Sequence, residues 1–92
     1  MKKSQLIKKD KSLEIILLAK RIKQLRIDLG YKGYEYFAYE KNISRSQYGR
    51  YEKGEDIRFS SLIKLIDAFG LTPEEFFSEG FEELRKAKKR EK

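Results

Sequence analysis

Histidine and cysteine are missing from this chain, and proline and methionine occur once each. The commonest general base, the commonest metal ligand and the best nucleophile at neutral pH are therefore all lacking. An enzyme would have to work with carboxylates, yet the Asp and Glu residues show no paired spacing outside charged helix faces, so the chain reads as a non-enzyme with no metal and no cofactor. The lack of cysteine excludes a disulfide framework and suits a reducing cytosol, which makes a cytoplasmic location the expectation. Long apolar runs are lacking too. The longest, Ile15 to Ala19, is far too short to span a bilayer, nothing resembles a signal peptide, and no membrane partner is expected. No alternating strand pattern of useful length occurs either.

What is present is charge and helical periodicity. The 92 residues are 39% hydrophobic and 40% charged, enough for one small core and too little for two domains. The net charge of +7 sits at the ends. Residues 1–11 hold five lysines against one aspartate, and residues 85–92 hold six Lys or Arg against one glutamate, leaving 12–84 at −2. The chain thus divides into a basic N-terminal arm (1–11), a folded domain (12–84) and a basic C-terminal tail (85–92). Each tail is either a nucleic-acid contact or a solvating end.

Apolar residues Ile15, Leu18, Ile22, Leu25 and Leu29 recur at steps of three and four, which predicts a first helix from Ser12 to Leu29, stopped by Gly30. A short second helix is expected over Tyr34 to Lys41 with Phe37 and Ala38 inward, then a corner at Asn42, which tolerates a left-handed conformation. Ser44 and Gln47 offer a capping box for a third helix, with Tyr48 and Tyr51 inward and Gly54 as its stop. A fourth helix is predicted to start at Ser60 or Ser61 and to bury Leu62, Leu65, Ile66 and Phe69, with Gly70 closing it. Thr72-Pro73-Glu74-Glu75 is a start signal for a fifth, combining a hydroxyl cap, proline in the first turn and acids at the positive end of the helix dipole. The expected fold is all-α, a compact bundle of five helices.

Through Phe37-Ala38, Asn42-Ile43-Ser44, Tyr48, Tyr51-Glu52 and Gly54 the chain resembles the lambdoid repressor and Cro-like (XRE-type) helix-turn-helix family. The resemblance covers about residues 18–77, extending to Arg26-Ile27 and Leu29-Gly30 before the motif and to Leu62, Leu65, Ala68, Phe69-Gly70-Leu71 and Glu75-Phe76 after it. It implies a lambda-repressor-like domain acting as a sequence-specific transcriptional regulator, bacterial or phage in type. The recognition helix, near residues 44–53, would lie in the major groove of double-stranded DNA. The chain departs from the family at Gly33-Tyr34, where Ser or Thr followed by Gln is usual, and at Asn42 and Ile57, where glycine and proline are frequent.

By position in the motif, Arg45, Ser46, Gln47 and Arg50 match the outward face of the recognition helix. Arginine bridges the O6 and N7 acceptors of guanine, glutamine pairs with adenine, and serine meets a base or a phosphate. Gln47 has two competing destinations, a base or the Ser44 amide of the capping box. Tyr34 either donates its hydroxyl to a phosphate or packs. Lys53 and Arg58 fall where the family places groups directed at the DNA backbone. The resemblance pairs Arg26 with Glu52, tying the first helix to the end of the recognition helix. Gly49 costs about 1 kcal/mol relative to Ala inside a helix, and its reason is either close approach to DNA or none.

A single module of this size gains useful specificity as a homodimer on two half-sites. Leu6, Ile7, Leu13, Ile16 and Leu17 lie outside the main core stripe, and Phe77, Phe81 and Leu84 step by four and three. They form a dimer contact or pack within one chain. The alternative function is a protein-interaction module, such as an antitoxin or a bridging protein, with a protein partner in place of DNA.

Overall fold

The computed structural model describes residues 11–91, with side chains to residue 86. Among these residues the regular elements are six helices, α1 (Leu13–Asp28), α2 (Tyr34–Glu40), α3 (Arg45–Glu52), α4 (Phe59–Ala68), α5 (Pro73–Phe76) and α6 (Glu82–Glu91). The all-helical class is as expected, with one helix more. The fifth helix is a single turn, because Phe77 already leaves helical geometry and Gly80 turns the chain at φ 95° before α6 begins. Residues 85–91, expected as a tail, continue α6. The N-terminal arm other than Lys11, with Leu6 and Ile7, lies outside the described residues.

Local chemistry explains most boundaries. Glu14 in the first turn and Arg26 in the last turn complement the dipole of α1. The predicted hydroxyl cap at Thr72 forms and is part of a full capping box: its hydroxyl accepts from Glu75 N at 3.1 Å, and the Glu75 carboxylate accepts from Thr72 N at 2.9 Å. The start of α4 is the exception. Arg58 is its N-cap, with no side-chain cap bond, and the helix begins at Phe59, ahead of the expected Ser60 or Ser61. Packing of Leu62, Leu65 and Ile66 against the core sets the axis of α4, and tertiary burial outweighs the preference of a hydroxyl for the cap.

The core gathers Leu18 and Ile22 of α1, Phe37 and Ala38 of α2, Tyr48 and Tyr51 of α3, the α4 stripe with Phe69, and Phe76. Phe37 is its centre. It stacks on Phe69 at 5.1 Å between ring centroids, meets Tyr31 edge-on at 5.2 Å and tilts against Tyr48 at 5.2 Å. Each such large side chain contributes about 1.5–3 kcal/mol through burial alone. Two residues of α1 depart from the predicted stripe. Leu29 is 49% exposed because it is the C-cap, where the chain turns away, whereas Leu17 is buried.

A buried arginine that periodicity did not single out locks α5 to α1. Arg21 donates from Nε to Phe76 O at 2.8 Å and from Nη2 to Glu75 O at 3.1 Å, bonding the end of α5 to α1. Its guanidinium also lies 5.5 Å from the centroid of the Phe76 ring.

Candidate nucleic-acid interface

The corner between α2 and α3 is set by Asn42, the one non-glycine residue with positive φ (61°) among those described. Its left-handed conformation reverses the chain within three residues, and Ile43 N then bonds to Ala38 O at 2.8 Å, sealing the turn to the end of α2. Ser44 follows as N-cap, its hydroxyl accepting from Gln47 N at 3.3 Å. Only this half of the predicted capping box forms. The Gln47 side chain instead lines a groove with Asn42, Ser61 and Lys64, which leaves its amide available.

Arg26 and Glu52 meet as predicted. Arg26 Nε donates to Glu52 Oε2 at 2.8 Å and Nη2 to Oε1 at 3.0 Å, a two-point contact between side chains that are 5% and 9% exposed. Arg26 Nη1 donates to the carbonyls of Tyr31 and Lys32 at 2.7 and 2.8 Å, and the Tyr48 hydroxyl donates to Glu52 Oε2 at 2.6 Å. The Glu52 hydrogen bond raises the Arg26 pKa above its ordinary value. Burial, and then Glu52, hold the Tyr48 hydroxyl well above the usual phenol range, so it stays a donor. Among the described residues no buried side-chain nitrogen or oxygen lacks a partner.

This network orients the exposed residues of α3. Arg45 and Ser46 stand at its N-terminus, where they share a groove with Tyr34, Glu35 and Ser44. The Ser46 and Ser44 hydroxyl oxygens are 3.4 Å apart. Arg50 is half exposed and leans on Glu55, Nε to Oε1 3.4 Å. Four residues after Ser46, it shares that residue's side of the helix rather than Arg45's. Lys53 is the C-cap, its carbonyl accepting from Lys11 Nζ at 2.9 Å. Arg58 is exposed at the start of α4. Glu55 is the neighbour that sequence reasoning missed, since nothing local marks a loop carboxylate as the partner of a helix arginine five residues earlier.

Gly49 needs a different explanation from either one expected. It is buried, and a Cβ there would lie 3.0 Å from three atoms of the Tyr34 ring, including the hydroxyl oxygen. The glycine therefore makes room for Tyr34, not for DNA. The half-buried Tyr34 ring lies over α3 and tilts against Tyr48 at 6.0 Å between centroids, and its hydroxyl end borders the groove at Arg45.

Two stability measurements check these assignments. A double-mutant cycle of Arg26→Ala and Glu52→Ala in urea should give a coupling of about 3 kcal/mol, well above the ~0–1 kcal/mol of an exposed pair; additive losses would mean the pair contributes nothing specific. Gly49→Ala should fail to yield the ~1 kcal/mol helix-propensity gain in the wild-type background and should yield it in a Tyr34→Ala background. An equal gain in both would show that the ring yields freely.

Among the described residues no helix is long and apolar enough to cross a membrane, and no cluster of metal-ligating side chains occurs. No curated protein and no solved structure matches the chain. The profile of a helix-turn-helix family, the XRE-type and Cro/C1-like one, matches residues 22–76, a span running from the core of α1 through the locked corner to Phe76. With more than half of its length so matched, and the corner, ion pair and braced α3 in place, the chain belongs to this helix-turn-helix family of DNA-binding regulators.

Proposed function

We propose that the protein is a sequence-specific transcriptional regulator that binds double-stranded DNA as a homodimer, with α3 in the major groove. The observation that carries this reading is the exposed set Arg45, Ser46, Gln47 and Arg50 on a helix whose opposite side is held rigidly by Tyr48, Tyr51 and the Arg26–Glu52 pair. Arg45 and Gln47 stand at the end of α3 that leads into a groove, with guanidinium and amide groups suited to guanine and adenine edges. Arg50 has to exchange Glu55 for a base. An exposed pair contributes about 0–1 kcal/mol and a bidentate guanine contact about 1–3 kcal/mol, so the exchange is favourable. Lys53 and Arg58, at the exit of α3 and the entry of α4, are placed for the phosphate backbone, as is the Tyr34 hydroxyl beside Arg45.

The dimer reading rests on apolar surface that the fold leaves open. Leu17 is buried, and Phe77 packs against Phe76 and Phe81 at 5.0 and 5.1 Å, so part of the terminal apolar set is consumed within the chain. Leu13 and Ile16, each 37% exposed, and Phe77 at 43% remain for a partner.

Selection from a random duplex library should enrich one palindrome. Against that duplex, Arg45→Ala and Arg50→Ala should each lose about 1–3 kcal/mol while random DNA is little affected, and Lys53→Ala should weaken both nearly alike. Unchanged specific-to-random ratios in both arginine variants would favour the protein-interaction reading. Sedimentation of the protein on the enriched duplex should show two copies, with half-sites about 34 Å apart; one copy on a single half-site would remove the dimer.

A further inference from the structure

Beside the C-terminal end of α3, four lysines from three parts of the chain converge on one groove of about 290 Å³. Lys53 comes from the end of α3, Lys20 and Lys23 from the exposed side of α1, and Lys11 from the segment before it. Ile16 and Ala19 line the same groove. Lys11 is fixed there by its bond to Lys53 O, which places a cation at the negative end of the α3 dipole. Glu52 is the one carboxylate lining the groove, and both of its oxygens are already held by Arg26 and Tyr48. Among the described residues Lys20, Lys23 and Lys53 form no ion pair. The groove thus gathers about four positive charges that the fold does not neutralise, and such clustering is unfavourable unless an anion relieves it.

We propose that this groove is a second backbone-binding site for duplex DNA, in which Lys11, Lys20 and Lys23 extend the contact begun by Lys53 onto phosphates flanking the bases read by α3. The inference rests on the duplex-binding reading above and deepens it. Its geometric basis is length. An eight-residue helix is about 12 Å long, and the major groove is about 12 Å wide. With the Arg45 end of α3 at the base edges, the Lys53 end therefore reaches the phosphate wall, and the lysines of α1 line the groove at that end. Several ammonium groups lining one groove match the phosphates of a strand better than one small anion. Lysine suits this task because a flexible point charge follows a backbone without reading sequence.

The test is a salt titration of the full chain and of Lys20→Gln/Lys23→Gln on two duplexes, the library-enriched palindrome and a scrambled duplex of equal length. Both substitutions are on exposed helix positions, and thermal melts establish that the variant stays folded. The slope of log affinity against log salt should become shallower by about 1.8, the loss of two phosphate contacts, on both duplexes, with their affinity ratio unchanged. In addition, methylphosphonate replacement of the flanking phosphates should weaken the wild type more than the variant, which keeps Lys11 and Lys53. Duplex binding with an unchanged slope, or a variant as sensitive to methylphosphonates as the wild type, would overturn this site alone and leave the groove to an acidic protein surface. Failure of the wild type to bind any duplex would overturn the parent reading and this one with it.

Discussion

The structure depends most on one buried ion pair. Arg26 sits near the end of α1 and Glu52 at the end of α3, 26 residues apart, and their two-point contact decides how α3 lies against the rest of the domain. Two buried charges repay their desolvation only when the geometry is good and the remaining donors are satisfied. Both conditions hold here. The third nitrogen of Arg26 bonds the carbonyls of Tyr31 and Lys32, so the pair also holds the loop that leads into α2, and Tyr48 adds a hydroxyl to Glu52 from within α3 itself. One interaction thereby fixes three elements, and a small shift in it would move all the exposed side chains of α3 together.

Around that pair the packing is unusually aromatic. Tyr31, Tyr34, Phe37, Tyr48 and Phe69 form a connected set of rings through α2 and its neighbours. Large rings fill a small core with few residues, which suits a chain of 92 residues with 39% hydrophobic content. They also impose local costs. Gly49 gives up helix propensity so that the Tyr34 ring can cross α3. At the rim, the hydroxyls of Tyr31 and Tyr36 both donate to Glu40, and these bonds keep the Glu40 carboxyl below its ordinary range.

Charge is distributed by function rather than evenly. The buried arginines, Arg21 and Arg26, serve the fold by bonding carbonyls and a carboxylate. Several exposed cations lie along α3 and in the groove it shares with α1. Glu55 and Glu35 lie among the cations near α3, one paired to Arg50 and one beside Arg45. Acids at such places weaken attraction to any polyanion, so a partner must offer more than bulk negative charge to displace them.

The all-helical class, the positions of α1 to α3, the corner at Asn42 and the hydroxyl cap at Thr72 were legible in the residues, and the Arg26–Glu52 pair through the family resemblance. Periodicity, caps and turn chemistry are local, and a spaced motif carries a long-range pair within it. The entry of α4 and the single-turn length of α5 were not legible, because burial of Leu62 and Phe76 against distant helices overrides the local signal at their ends. Only the tertiary structure decided why Gly49 is glycine, that Arg21 closes α5, that Arg50 rests on Glu55, and that lysines 11, 20, 23 and 53 share one groove. Each of these depends on which side chain arrives from another part of the chain. The pattern of a sequence says which residues face inward, but the partner that each one meets is determined by how the helices cross.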